Sequence, residues 1–472
     1  MESPVPADGA IEQMNLQLAG GDLPDAYMGF LWTPITPSQL AVYGGQGLFV
    51  DLKDLLAENT PNFNELSTGV PEALKLVTAP SGAVYSLPQI NQCYHCSMPQ
   101  KMWINQVWLD NLGLAIPTTP DEFRAVLQAF KDGDPNGNGE ADEIPMTVSA
   151  TTNLGDLDLY LMNPFQFSPA EPWMYVDGGT VVSSYTQDGW RDGVKYMRDL
   201  YANGLLDNES FTQSWDDMYV KTRTESTPIV GAAPTFWKAT HWEINSPYFK
   251  EYVAIPQLTG PIGLQQTLRT YSPGGVGGLM ITSACEDPAL LLRWADTLFA
   301  TEATLRVARG RPGMNWRWAE EGETGINEEQ AIWAIVQQAP GALDNARPTG
   351  WSELCPMWFS LDLRHGQAVV VPRDDETETI LYDATLNMQE PWAIPQEMWL
   401  PPLYFTADQA NVIALSGAGI NDLVRSQYTT WVTGQGDPDA EWETYLEQLR
   451  SIGYDDLLAT YQQAYDESGW FA

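Results

Sequence analysis

The run Asp134-Pro135-Asn136-Gly137-Asn138-Gly139-Glu140-Ala141-Asp142-Glu143 organises the reading of this chain. Oxygen-bearing side chains fall at alternate positions, Asp134, Asn136 and Asn138, two glycines let the backbone curl, and two carboxylates close the stretch. A hard cation takes six to eight oxygens at short range, and a tightly turning acidic loop supplies them. The start follows an EF-hand loop, but its twelfth place, which should hold a bidentate Glu, holds Pro145. The pattern therefore predicts a Ca2+ site of non-EF-hand type. Its ligands are Asp134, Asn136, Asn138, Asp142, Glu143 and the backbone carbonyl of Glu140. The competing reading is a solvated turn of Asn, Asp and Gly. All of the ligands are local and none is His or Cys, so the ion braces the chain and does no chemistry.

Outward from the loop, the preceding segment reads as an amphipathic helix. Thr119 is an N-cap, Pro120 occupies the first helical position, Glu122 completes a capping box, and Phe123, Val126, Leu127 and Phe130 recur at helical spacing. Toward the C-terminus, Trp442, Tyr445, Leu446 and Leu449 mark a helix stopped by Gly453, and Leu457 to Tyr465 begin another. Asp287 and Pro288 open a helix with Leu291, Trp294, Ala295, Leu298 and Phe299 on one face. Short strands are expected at 83–87, 102–105 and 278–282. The glycines at 274, 275, 277 and 278 permit close backbone approach. Strands alternating with helices make the chain α/β.

At 472 residues the chain is long enough for two or more domains, and 44% hydrophobic against 18% charged residues fits a packed protein. The net charge of -39 argues against nucleic acid and against an anionic membrane surface as partners. No stretch approaches the roughly 18 consecutive apolar residues of a membrane span. Nineteen Trp and twenty Tyr offer flat amphipathic rings of the kind a sugar cleft uses, although many must serve the core.

Catalytic signatures are lacking. GxSxG, HExxH, the P-loop and a helix-opening GxGxxG do not occur, and the three histidines, His95, His241 and His365, are isolated from one another. Cys93-Tyr94-His95-Cys96 has CxxC spacing without a thioredoxin-like context or a second ligand pair. Free thiols or one local disulfide are expected there, with Cys285 and Cys355 the remaining cysteines.

Several segments, in order along the chain, resemble the family 1 extracellular solute-binding proteins, the sugar-binding subunits of ABC importers. The resemblance is to members with a calcium loop, of the alginate-binding type. The segments are 18–25 (LAGGDLPD), 85–88 (YSLP), 104–105 with 108–114 (IN, WLDNLGL), 117–123 (PTTPDEF), the acidic loop through Pro145, 433–434 (TG), 442–445 (WETY) and 464–466 (AYD). The resemblance implies a two-lobe periplasmic-binding-protein-like fold with a hinge and an interlobe cleft. The first lobe would comprise 1–90 and 271–390, and the second 91–270 and 391–472. Crossovers are expected near Gln89–Cys96, Tyr271 and Gln389–Trp399. Family members carry an earlier strand, so an N-terminal strand is expected to be missing from the first sheet.

The implied function is non-enzymatic: an oligosaccharide is bound between the lobes and delivered to the transmembrane subunits of an ABC permease. The receptor would be a monomer outside the cytoplasm, lipid-anchored at the outer face of the cell membrane. Contacts are expected from Gln89, Asn91, Trp237, Trp242, Tyr271, Trp316 and Trp358. Arg306, Arg309, Arg311 and Arg317 form a basic cluster that would favour an acidic sugar if it faced the cleft; otherwise a neutral one fits. The alternative is a calcium-dependent glycoside hydrolase or lyase, which needs paired catalytic groups facing each other.

Overall fold

The computed structural model describes residues 9–29, 35–149, 157–224, 227–336 and 355–470. Its strands are β1 (Ala26–Met28), β2 (Leu87–Asn91), β3 (Met102–Asn105), β4 (Ile144–Met146), β5 (Met174–Asp177), β6 (Thr180–Ser183), β7 (Val230–Pro234), β8 (Tyr252–Ala254), β9 (Gly274–Ile281), β10 (Trp316–Trp318), β11 (Trp333–Ile335) and β12 (Met357–Phe359). They form two four-stranded sheets, β1-β9-β2-β12 and β4-β7-β3-β8, and two hairpins, β5-β6 and β10-β11. Each sheet has its own core. Leu87, Ile90, Leu279 and Ile281 pack with Leu52, Phe63 and Leu76 in the first lobe. Met102, Ile104 and Met146 pack with Phe123, Phe130, Trp190 and Trp431 in the second.

Strand β9 runs antiparallel to both β1 and β2. Its glycines are required by proximity: a Cβ on Gly274 would fall on the Gln89 carbonyl, and one on Gly278 would come 2.9 Å from the Leu87 oxygen. Because β9 is hydrogen-bonded along both edges, the first sheet has no unpaired inner position among the described residues. The expected gap for a missing N-terminal strand is not seen.

The helix Pro120–Asp132 buries Phe123, Val126, Leu127 and Phe130 as its spacing requires. Thr119 Oγ1 accepts from the Glu122 amide at 3.2 Å, but the Glu122 carboxylate reaches back to Thr118 N and Oγ1, both at 2.8 Å, so the expected box is displaced by one residue. In the helix Pro288–Asp296, Asp287 caps Leu290 N at 2.9 Å. Ala295 and Phe299 of the predicted face turn inward, joined by Leu292, while Trp294 is exposed.

Three crossings join the lobes: 92–101, 255–273 and the segment following β12. The last brings the helix Thr377–Met388 to the second lobe, where Leu381 and Ala384 pack with Trp103 and Tyr252. The same helix also holds the first lobe, where its Glu378 pairs with Arg309 at 3.4 Å and with Arg364 at 3.3 Å. The crossings lie side by side. Thr267 N donates to Trp392 O at 2.9 Å, Ile394 N to Thr267 O at 3.0 Å, and Thr270 N to Ser97 O at 2.8 Å. Gln100 touches both neighbours: its backbone carbonyl accepts from the Gln389 side chain, and its Oε1 accepts from Leu268 N and from Asn163 Nδ2. A disulfide joins Cys93 to Cys96 within the first crossing.

Candidate functional site

The acidic loop sits between the Pro120–Asp132 helix and β4, and two anchors fix it: Asn111 Nδ2 donates to Pro135 O at 2.8 Å and Asn136 Nδ2 to Pro228 O at 3.3 Å. Gly137 (φ 70°) and Gly139 (φ 80°) take the left-handed conformation that tightens it. Asp134 accepts from the amides of Asn138 and Gly139, each at 3.1 Å. Asp142 accepts from the side-chain amides of Asn136 (3.2 Å) and Asn138 (3.1 Å). Glu140 is exposed.

The donor set fits a hard cation on one particular observation. Glu143 Oε1 is buried without a hydrogen-bond partner. Its carboxyl is pushed up, first by burial and then by the charges of Asp142 and Asp134. A cation would relieve both. The three carboxylates do not meet within 4.8 Å of one another. Instead the Asn136 and Asn138 amides stand among them with nitrogen toward Asp142, and rotating each amide would present its oxygen. The close His/Cys/carboxylate group among the described residues is Cys93, His95 and Cys96, whose two sulfurs are already joined.

A cavity of about 580 Å³ opens in the second lobe between the helices Asp188–Ala202 and Ala418–Val432. Trp173, Trp190, Phe211 and Tyr428 give it aromatic walls, while Asp158, Glu171 and Arg425 bring charge. Trp173 has φ 54°, a conformation uncommon outside glycine. Its indole N–H donates to Asp158 Oδ2 at 3.2 Å, and Arg425 lies 5.3 Å from its ring centre. Arg425 Nε and Nη2 reach Glu171 Oε2 at 2.9 and 2.5 Å, and Asn421 Nδ2 donates to Glu171 Oε1 at 2.5 Å. Burial pushes the Asp158 carboxyl up. The Trp190 Nε1 is buried without a partner. Aromatic faces with a few oriented polar groups are what a hydroxylated ring needs.

None of the seven residues expected to contact ligand lines this cavity. Trp242 is 3% exposed and stacked on Tyr252 at 3.7 Å; Trp316 is fully buried with its N–H on Gly310 O at 3.0 Å. Both are core residues, which corrects the expectation for them. Gln89 is buried in β2. Asn91 Oδ1 accepts from Arg364 at 3.0 and 2.7 Å, and the Tyr271 hydroxyl ties the second crossing to the third through Ile394 O at 2.7 Å. Trp237 is half-buried, edge-on to Trp103 and Phe249. Trp358 is half-buried and its Nε1 lacks a partner. The basic cluster is engaged locally: Arg306 with Glu302 (2.6 Å), Arg309 with Glu378 (3.4 Å) and Arg317 with Glu323 (2.6 Å). Sequence reading missed Asp158, Glu171, Trp173 and Arg425. Glu171 and Arg425 are 254 positions apart and meet only through the fold.

No family model matches the chain. The fructooligosaccharide ABC transporter substrate-binding protein FusA of Streptococcus pneumoniae is 28% identical over 97% of this chain and 82% of its own length. The structure of a FusA EF-hand mutant in complex with fructo-nystose superposes with a TM-score of 0.77 at 27% identity, covering 98% of this chain and 91% of that one. An HMO-binding, ABC-transporter-associated solute-binding protein from Bifidobacterium longum infantis gives a TM-score of 0.82 at 24% identity, over 98% and 92% of the two chains. Alginate-binding protein AlgQ2 without calcium ion gives 0.69 at 22%, over 97% and 89%. These relatives are named as binding proteins and none as an enzyme. With two α/β lobes, three laced crossings and an end-to-end match to such receptors, the chain is an extracellular solute-binding protein of the ABC-transporter class.

Proposed function

We propose that this receptor captures an oligosaccharide, seats one of its rings in the second-lobe cavity, and hands it to the transmembrane subunits of an ABC permease. The observation that carries this reading is the cavity wall itself: indole and phenyl faces beside carboxylates and a guanidinium, in a space of about 580 Å³. Ring faces cover the C–H side of a sugar, while charged oxygens and N–H groups take hydroxyls. FusA, bound to fructo-nystose in its structure, supports the ligand class. Closure of the lobes around ligand would need differential binding of about 5.5 kcal/mol to move the equilibrium from 1:99 to 99:1. The receptor works as a monomer outside the cytoplasm, held to the membrane by a lipid anchor; a matching relative, LipO of Bacillus subtilis, is named a lipoprotein.

The same reading gives the acidic loop a Ca2+ ion held by Asp134, Asn136, Asn138, Asp142, Glu143 and the Glu140 carbonyl. Glu143, buried and unpartnered on one oxygen, supports it, as does the relative FusA, whose fructo-nystose complex is that of an EF-hand mutant. Bound there, the ion would fix the register between the preceding helix and β4.

A thermal-shift screen against neutral and acidic oligosaccharides tests the receptor reading, with an assay for new reducing ends alongside. A saturable shift without turnover is expected. Turnover, or the absence of any shift across the panel, refutes it.

A further inference from the structure

We infer that the second-lobe cavity selects uncharged sugar rings and rejects uronates. This rests on the cavity being the sugar pocket. The argument is a local charge count. Among the described lining residues there is one cation, Arg425, and there are two carboxylates, Asp158 and Glu171. Arg425 is already matched by Glu171, whose second oxygen takes the Asn421 amide. Asp158, which accepts an indole N–H on one oxygen, shares the Arg425 charge with Glu171, so one cation stands against two carboxylates. A sugar carboxylate entering here would be desolvated beside an existing carboxylate, and both terms oppose it. A hydroxyl meets no such penalty. It can donate to Asp158 or accept from the unpartnered Trp190 N–H, and the negative faces of the arene walls give an anion no support.

Basic groups elsewhere do not compensate. Arg306, Arg309 and Arg317 are on the 301–318 segment of the first lobe, paired with carboxylates. The net charge of -39 adds a repulsive field against any polyanion.

The decisive experiment is calorimetric titration with matched pairs of oligosaccharides. Each uronate oligomer is compared with its carboxyl-reduced counterpart, identical except that each carboxylate has become a hydroxymethyl group, within a wider neutral panel. The best neutral oligosaccharide should bind at least 100-fold more tightly than any uronate. Residual uronate binding should strengthen when salt screens the repulsion, while neutral binding stays constant. Asp158→Asn should narrow the ratio at least tenfold. A uronate that outbinds every neutral sugar overturns the charge inference while leaving the receptor reading intact. So does an unchanged ratio in a folded Asp158→Asn protein, or uronate binding that weakens with salt. If no oligosaccharide of either kind binds, it is the receptor reading that falls.

Discussion

Removing one carboxylate from the acidic loop gives the sharpest test of the calcium reading, because the loop's hydrogen bonds separate the metal's contribution from the loop's own. Within the loop Asp142 accepts from Asn136 and Asn138 at 3.1 to 3.2 Å, on an exposed surface. An Asn at 142 keeps an accepting oxygen, so Asp142→Asn should change metal-free stability by no more than about 1 kcal/mol. The calcium-loaded protein behaves differently. Extracellular calcium modules have dissociation constants of about 10⁻⁴ to 10⁻³ M, so about 10 mM calcium reaches about a hundredfold excess for the tighter ones. Binding to the native state alone then adds about 2.7 kcal/mol. For a lobe of about 150–250 residues this raises the melting temperature by roughly 5–10 °C. Differential scanning fluorimetry of both proteins, in EDTA and across a calcium titration, reads the effect directly. The wild-type chain should show the rise and Asp142→Asn should lose most of it. Equal melting temperatures for the wild type in EDTA and calcium would refute the reasoning, as would a variant that keeps the full gain.

Trp173→Phe retains an aromatic wall but removes the N–H that Asp158 accepts, so oligosaccharide affinity by calorimetry should fall about tenfold, roughly 1.4 kcal/mol, with little loss of melting temperature. Lys101 is buried, with its ammonium on His95 O (3.3 Å) and Met98 O (2.7 Å), and burial lowers it to about 7 from the ordinary lysine value of 10.5. Between those pH values the unfolded chain holds the extra proton, so stability rises with pH there and the burial penalty is complete below about pH 7. Lys101→Met should therefore be more favourable, or less harmful, at pH 6 than at pH 10 in denaturant titrations; an identical effect at both refutes it. Arg364→Met strips Asn91 of a donor and Glu378 of a buried cation, and should destabilise by about 3 kcal/mol in urea unfolding.

Local patterns carried the parts of the structure that short-range physics controls. The helix at Pro120–Asp132 was legible because its cap, its proline and its apolar spacing agree, and the close approach of β9 to β2 was legible in its glycines. The tight turn of the acidic loop was legible in Gly137 and Gly139. Where a side chain's fate depends on distant partners, the same reasoning failed. Trp242 and Trp316 have no sequence feature that separates them from a ligand-facing indole, and only packing against Tyr252 and Gly310 makes them core. Trp294 turned outward because Leu292, one position off the predicted stripe, fills the interior. Glu171 and Arg425 meet only because the segment before β5 and a C-terminal helix come together. The helix Thr377–Met388 joined the second lobe because its apolar residues complete that lobe's core, which no boundary signal announces.

The lacing of the three crossings has a mechanical meaning. Segments stitched sideways cannot slide past one another, so twist and translation of one lobe against the other are stiff and flexing about the stitched band is the soft direction. Gln100 acts as the rivet of that band, since a single residue grips the 255–273 segment, the Gln389 side chain and Asn163. Loosening it would trade a one-axis joint for a floppy one, and the molecule would lose the defined pose a docking surface can read.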